Sequence, residues 1–505
     1  MFEIIITKKY LWFPVKNDGK KVFAQVFLDK ETVYEFDIEV SLENADFYAA
    51  WNVENYIGKT FVFNGDFPAG WEKNIKNKDT PPEKKGRFPL IHFAPKTGWM
   101  NDPNGLIFAN GIYHMYFQHN PFGIKWANMH WGHAFSKDLL HWEQADEALL
   151  PDENGTMFSG CAFLDEKGSA GFGKNTILYY YTAAPASGRS HGKKFKQMLA
   201  LSSDGFNIKK LPMPVIEHIV ADNRDPKVFF HEASNAYIMV LFLDGNDFAV
   251  FRSQNLLEWQ LTQKLTLPPL WECPDLFPLT NENGEQRWIF WAADGYYFIG
   301  DFNGYEFIPK TEKLSAYATK LAYAAQTYSN TNGRIISQSW LRTKNHGTSY
   351  TGIMAIPVSL SLKNTKNGER ICLEPIEEMK SLRKNAKVLK SPENGTLTSL
   401  NENAAEIILN FYPCNEGISV LDIIGEKLSI DFSLGKVAFK DENFSFSNSD
   451  SLHLRIYIDY DALEIFTLDG SIYFPCEWDM KSLTGEISLE SGNGMLESAE
   501  IYELG

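Results

Sequence analysis

Cysteine is scarce in this 505-residue chain: Cys161, Cys273, Cys372, Cys414 and Cys476, an odd number, with the closest pair 42 positions apart. That spacing excludes a dense disulfide framework and offers no CxxC zinc site. No apolar run approaches the roughly 18 residues that a membrane-spanning helix needs. Positive charge is in deficit, with 48 Lys and Arg against 64 Asp and Glu for a net −16. Such a balance repels nucleic-acid phosphates and anionic membranes, so neither is an expected partner. The first fifteen residues carry Lys8 and Lys9 in their middle and lack the basic-then-apolar-then-small order of a secretory leader. As the sequence stands, a cytoplasmic location is expected, or a secreted or periplasmic one had a leader been removed. Long amphipathic helices and low-complexity tracts are missing as well.

What is abundant is aromatic residues, 14% of the chain, set in short β-like runs. Val33 to Val40 alternates, with Tyr34, Phe36, Ile38 and Val40 on one face and Glu35, Asp37 and Glu39 on the other. Asn17-Asp18-Gly19 between two apolar runs reads as a hairpin turn. Residues 1–71 are thus expected to be a small β-module and the basic, proline-bearing stretch 72–87 a linker. From residue 88 to 362, short aromatic strands alternate with Gly, Asn, Asp and Pro turns. The pattern Phe135-Ser136-Lys137-Asp138 returns at Phe251-Arg252-Ser253-Gln254-Asn255 and, more loosely, at Leu201-Ser202-Ser203-Asp204. Four-stranded units at that spacing predict a β-propeller of five blades. Residues 363–383 read as a second linker, and 384–505, where Leu454, Ile456 and Ile458 alternate with polar neighbours, as a β-sandwich. The expected class is all-β: N-terminal β-module, five-bladed propeller, C-terminal sandwich.

Two motifs fail on context. Gly168 to Asn175 nearly matches a phosphate-binding loop but ends in Asn where a magnesium-binding Ser or Thr is required, and strand-like sequence follows. Gly188-Arg189-Ser190-His191-Gly192 fits a nucleophile elbow, yet no helix pattern follows it. His130 and His133 stand three apart, which on a strand puts them on opposite faces, so they are expected to be packed histidines and not metal ligands.

Three acidic residues each stand beside Pro or Cys-Pro at the edge of an aromatic run: Asp102 in Asn101-Asp102-Pro103-Asn104-Gly105, Asp225 in Arg224-Asp225-Pro226-Lys227, and Glu272 in Trp271-Glu272-Cys273-Pro274-Asp275. A proline there interrupts the ladder and can fix a carboxylate at a strand end, pointing into a central funnel.

These motifs, with Tyr116-Phe117-Gln118-His119-Asn120-Pro121, Trp131-Gly132-His133, Phe158-Ser159-Gly160 and Tyr323-Ala324-Ala325-Gln326-Thr327, occur in the order found in glycoside hydrolase family 32. The chain resembles that family of invertases, inulinases and levanases, nearest to its exo-acting levanase-like branch; residues 1 to about 86 lie outside the shared pattern. The resemblance implies Asp102 as nucleophile, Glu272 as general acid/base and Asp225 as transition-state stabiliser. It implies Asn101, Gln118, Trp126, Phe158, Ser159, Arg224 and Trp340 as substrate-binding residues, with no metal and no cofactor. Trp340 and Cys161 depart from the family's local pattern, which bears on substrate fit. The implied substrates are fructans (levan or inulin) and sucrose, cleaved at the terminal β-D-fructofuranosyl residue with retention, a reaction in which two carboxyl groups perform a double displacement. Sucrose-only invertase, endo-levanase, an inverting pentosan-cleaving relative and a catalytically dead carbohydrate-binding propeller remain as alternatives.

Overall fold

The computed structural model describes residues 1–366, 368–390, 394–447, 451–491 and 495–505. Five antiparallel sheets of four principal strands follow one another as propeller blades. Blade 1 opens with Gly98–Ala109, blade 2 with Thr156–Asp165, blade 3 with Arg224–His231, blade 4 with Asp275–Thr280 and blade 5 with Ala322–Thr327. These opening strands lie nearest the axis: those of blades 1, 2 and 3 pack side by side, and blade 5 returns to pack on blade 1. Polar bonds also tie the centre together. Lys227 donates to the Thr327 carbonyl at 2.6 Å and pairs with Asp275 at 3.1 Å, and Gln326 donates to the Gly160 carbonyl at 3.0 Å.

The blades stack because their strands are apolar on both faces. In Thr176–Ala184, the second strand of blade 2, every residue is buried. Its odd-numbered side chains Ile177, Tyr179 and Tyr181 join Trp131 of blade 1, and its even-numbered Leu178 and Tyr180 join Val228 and Met239 of blade 3. The sequence repeat marks one turn used three times. Ser136, Ser202 and Ser253 end the third strands of blades 1, 2 and 3. Each donates its hydroxyl to the acid or amide two residues on, at 2.9, 2.9 and 3.2 Å.

The sandwich is two six-stranded sheets closed on Ile407, Leu421, Ile456, Ile465 and Trp478. The N-terminal module is also two-layered, with a four-stranded and a three-stranded sheet. Tyr34, Phe36, Ile38 and Val40 face its core, as their alternation requires.

Three local expectations change. Asn17-Asp18-Gly19 is a turn, but the strands it joins, Tyr10–Val15 and Lys20–Leu28, belong to different sheets, so it links layers and is no hairpin; Lys20–Leu28 pairs instead with Glu31–Val40. The stretch 72–87 is in part structured, because Lys76–Lys78 adds an edge strand to Tyr10–Val15. The stretch 363–383 is not a free connection. Val358–Thr365 and Gly368–Pro375 form the outer hairpin of blade 5, polar because one face meets solvent; residue 367 lies outside the described residues.

Candidate active site

Asp102, Asp225 and Glu272 converge at the mouth of the propeller axis, the two aspartates where the ladder is broken and Glu272 in the bend just before the strand Asp275–Thr280. The pairing of Gly98–Ala109 slips between Met100 and Pro103, and that of Arg224–His231 between Arg224 and Lys227. Asp225 and Glu272 both have left-handed backbone, with φ of 65° and 34°, and Cys273 follows at 46°. Non-glycine residues occupy that region only when their surroundings enforce it, and such strain gathers at functional sites. Here the enforcing contacts are visible. The Asp225 N–H donates to Thr182 Oγ1 at 3.0 Å, and the Cys273 N–H donates to Asp225 Oδ2 at 3.0 Å.

Asp102 receives the Ser159 hydroxyl on Oδ2 at 2.7 Å and the Asn101 amide on Oδ1 at 3.1 Å, while Trp99 Nε1 donates to Asn101 Oδ1 at 2.9 Å. Cys273 Sγ stands between the two aspartates, 3.7 Å from Asp102 Oδ2 and 3.5 Å from Asp225 Oδ2. Arg224 grips Glu272 Oε2 with Nη2 at 2.5 Å and Nε at 3.2 Å, and its Nε lies 3.6 Å from Asp225 Oδ2. The guanidinium sits over the Phe242 ring at 4.6 Å and the Trp271 ring at 5.6 Å. The other oxygen, Glu272 Oε1, accepts the Tyr323 hydroxyl at 2.5 Å, and Tyr323 in turn accepts Trp271 Nε1 at 2.7 Å.

Two of the three carboxyl groups thus share one cation, and the third, Asp102, is held by neutral donors. Burial raises the Asp102 carboxyl above the ordinary range and the nearby Glu272 adds to this; the bonds from Ser159, Asn101 and Cys273 pull the other way. Burial pushes Asp225 up to about 7; Arg224 opposes, while Glu272 and Asp102 reinforce the rise. Asp225 is thereby inclined to keep its proton toward neutral pH.

The expected binding residues fall into two groups. Asn101, Ser159 and Arg224 touch the carboxylates directly. Gln118 is buried behind them, its amide donating to the Met157 carbonyl at 2.8 Å. Phe158 leads into Ser159, and Trp126, 56% exposed, stands at the rim with its ring edge-on to Phe158 at 5.9 Å. Trp340 lies on the second strand of blade 5, edge-on to Trp99 at 5.8 Å and Tyr323 at 6.3 Å. Cys161 corrects an expectation. Its side chain packs between blades 2 and 3, and its sulfur accepts the Val228 N–H at 3.1 Å, so its departure from the family pattern bears on packing and not on substrate fit. His130 is bonded to the Tyr34 hydroxyl, and His133 to His114 at 3.0 Å; burial lowers His130 to about 3. Sequence reasoning overlooked Tyr323, Trp271, Trp99 and Cys273 as site residues. Three lie inside the recognised motifs and Trp99 stands two residues before one, but nothing in a one-dimensional string says that Tyr323, 51 positions from Glu272, meets it.

The model for the glycosyl hydrolases family 32 N-terminal domain matches residues 92–375. A levanase of Bacillus subtilis is 33% identical over 336 residues, 60% of this chain and 49% of the levanase, so the chain spans about half the length of that relative. A sucrose-6-phosphate hydrolase of Zymomonas mobilis is 28% identical, across 86% of this chain and 96% of the relative. Among solved structures, the exo-inulinase of Aspergillus awamori superposes with a TM-score of 0.73 at 24% identity, covering 83% of this chain and 98% of that one. A fructofuranosidase of Schwanniomyces occidentalis complexed with fructose gives 0.73 at 23%, covering 82% and 98%. Those likenesses give the fold, a five-bladed propeller followed by a sandwich. The family match spans more than half of the chain and contains all three carboxylates, and on that ground the chain belongs to glycosyl hydrolase family 32.

Proposed function

We propose that the chain is a retaining glycoside hydrolase that releases terminal non-reducing β-D-fructofuranosyl units from levan, inulin or sucrose. The observation that carries this reading is the cluster of three carboxyls at the propeller mouth: Arg224 bonds Glu272 and stands beside Asp225, and Cys273 links Asp225 to Asp102. In the first step the Asp102 carboxylate attacks the anomeric carbon of the fructosyl unit while the Glu272 carboxyl passes its proton to the departing glycosidic oxygen. A covalent fructosyl-enzyme results, and Glu272 is left as carboxylate. In the second step Glu272 takes a proton from water as that water attacks the same carbon. The Asp102 carboxylate is released, and two inversions leave the configuration retained. Asp225 and Arg224 flank the ring: Asp225 binds sugar hydroxyls as the oxocarbenium character develops, and Arg224 and Tyr323 hold the two oxygens of Glu272 in place.

Action from the chain end is favoured because Asn101, Ser159 and Arg224 crowd the carboxylates, and a buried sugar satisfies its hydroxyls only when few sides stay open. The relatives named a levanase, an exo-inulinase and a sucrose-6-phosphate hydrolase set the substrate panel. Early time points on levan, inulin, sucrose and sucrose 6-phosphate under one condition test the reading. Free fructose as sole early product, first seen by NMR as the retained anomer, supports it. A ladder of oligosaccharides preceding fructose, an inverted first product, or release only from the phosphorylated disaccharide refutes it.

A further inference from the structure

One strand of the N-terminal module, Glu31–Val40, runs against two loops of the propeller. In the first loop, residues 121–128, the buried Phe122 ring stacks on Phe36 at 4.0 Å and 11° and packs with Phe13 at 5.8 Å, so that a propeller residue completes the module's aromatic core. Asn128 exchanges two hydrogen bonds with the backbone of Asp37: the Asp37 N–H donates to Oδ1 at 2.7 Å, and Nδ2 donates to the Asp37 carbonyl at 2.8 Å. Lys125 reaches Glu39 at 3.2 Å and Asp18 at 2.8 Å. In the second loop, residues 185–195, Glu35 accepts the Arg189 N–H at 2.9 Å, and Arg189 Nη1 donates to the Thr32 carbonyl at 3.0 Å. The acidic face legible in the sequence as Glu35, Asp37 and Glu39 is therefore the edge by which the module grips the propeller. A residual cavity of about 70 Å³ remains between them.

Each gripped loop delivers one aromatic ring to the same place. Trp126 from the first and Phe195 from the second both meet Phe158 edge-on, each at 5.9 Å. Phe158 precedes Ser159, which holds Asp102. Trp126 keeps 56% of its surface exposed, although the loop on either side of it is fastened down. Asn128 has left-handed backbone, φ 46°, a conformation that the loop retains because the two bonds to Asp37 enforce it. Fixing a loop backbone costs conformational entropy for every residue held. When the folded module has already met that cost, substrate binding does not have to.

We propose that the N-terminal module is a positioning element for the part of the substrate beyond the cleaved bond, holding the 121–128 and 185–195 loops so that Trp126, Phe158 and Phe195 form a preorganised rim for the second sugar of a fructan. This rests on the fructosidase reading above. The effect falls on binding of chains longer than the terminal unit and leaves bond cleavage alone, because none of the gripping residues touches the carboxylates.

The test uses the full chain with Asn128→Gly, which deletes both bonds to Asp37 while glycine still accepts the left-handed backbone, and separately Arg189→Met. KM and kcat are measured on an inulin-type oligosaccharide of at least three fructose units, with competitive inhibition by free fructose as the report on the terminal pocket. KM for the oligosaccharide is expected to rise at least about threefold, with kcat within about twofold of wild type and fructose inhibition unchanged. Asn128→Asp, which keeps the acceptor for the Asp37 N–H, should recover part of the loss. An unchanged KM in both variants overturns the proposal. So does a kcat that falls in step with the folded fraction, or fructose inhibition weakening as much as KM, since either shows a merely structural contact. Should the wild-type chain release no fructose from any fructan, the fructosidase reading fails instead.

Discussion

Buried acids meet in two places in this protein, and the two places are built on opposite terms. At the seam between propeller and sandwich, Asp459 accepts the N–H groups of Leu90 at 3.0 Å and Ile91 at 2.9 Å, and the His92 ring at 2.9 Å. The other nitrogen of His92 meets Glu464 at 2.6 Å, and Glu464 also takes the Ile356 N–H at 3.0 Å and the Tyr473 hydroxyl. Burial alone would raise Asp459, but the His92 bond and the backbone donors outweigh it and hold the carboxyl below its ordinary range. Burial likewise disfavours the charge on His92, yet its two carboxylate partners lift it to about 10. At the propeller mouth the count is reversed: three carboxyls, one arginine, and protons retained toward neutrality. The same residue types thus serve as a joint where donors are plentiful and as acid–base chemistry where donors fall short of the charges.

The contrast breaks most visibly by substitution. Asp102→Asn should lower fructose release at least about 10⁴-fold, as loss of a nucleophile does, without lowering the melting temperature, since the amide fits the same space and one like charge disappears. Activity within a factor of ten of wild type would remove Asp102 from the role of nucleophile. Glu272→Gln should cost about 10²–10⁴-fold and flatten the alkaline limb of the pH–rate profile. In the unaltered chain that limb reports the loss of the acid's proton. An optimum above pH 8 would contradict the proposed acid.

At the seam the expected outcome is the converse. Asp459→Ala leaves the backbone N–H groups of Leu90, Ile91, His92 and Tyr460 without their acceptor and the charged imidazole with Glu464 alone, a loss on the order of 3–5 kcal/mol, while turnover per folded molecule should stay unchanged. For His92, whose folded value of about 10 lies above its unfolded 6.5, the stabilisation is complete below pH 6.5 and is lost as pH rises through about 10. For Asp459, whose value is lowered, it is complete above the unfolded value and lost as pH falls through the folded one. Chemical denaturation of the variant and the parent from about pH 3 to pH 10, with assays on the folded fraction, checks both statements. Equal stability would mean that the seam is held elsewhere.

The same contrast explains what the sequence could and could not disclose. The blades were legible because the Ser136, Ser202 and Ser253 turns repeat and because strand faces follow a period of two. The three carboxylates were legible because their prolines interrupt the ladder locally. The outer hairpin of blade 5, 358–375, escaped because an exposed edge hairpin is polar and resembles a connection. The Asn17-Asp18-Gly19 turn was misread because turn chemistry specifies a reversal of the chain but not which sheet receives the next strand. Tyr323 on Glu272 and Asp459 beneath His92 depend on contacts across 51 and 367 positions, and no local pattern encodes a partner so far away.

The smallest expected effect separates the two regions by sign. Asp225 has a folded value of about 7 against an ordinary 3.8, so the folded chain binds protons more tightly than the unfolded one between these limits. Its contribution to stability is therefore complete below about pH 4 and is progressively lost as pH rises through 7, opposite to the course at Asp459. Asp225→Asn keeps the shape and can still accept the Cys273 N–H, but it removes a charge facing Asp102 and Glu272. At pH 8 the variant should melt about 1–3 °C above the parent, although fructose release is severely impaired; at pH 4, where the parent carboxyl is already protonated, the two melting temperatures should coincide. The quantity to measure is the difference between variant and parent at each pH, which cancels every group that the substitution leaves alone. A variant less stable than the parent at pH 8 would mean that Arg224 stabilises the Asp225 charge by more than burial and its acidic neighbours oppose it. The mouth of the propeller would then be built on the same terms as the seam.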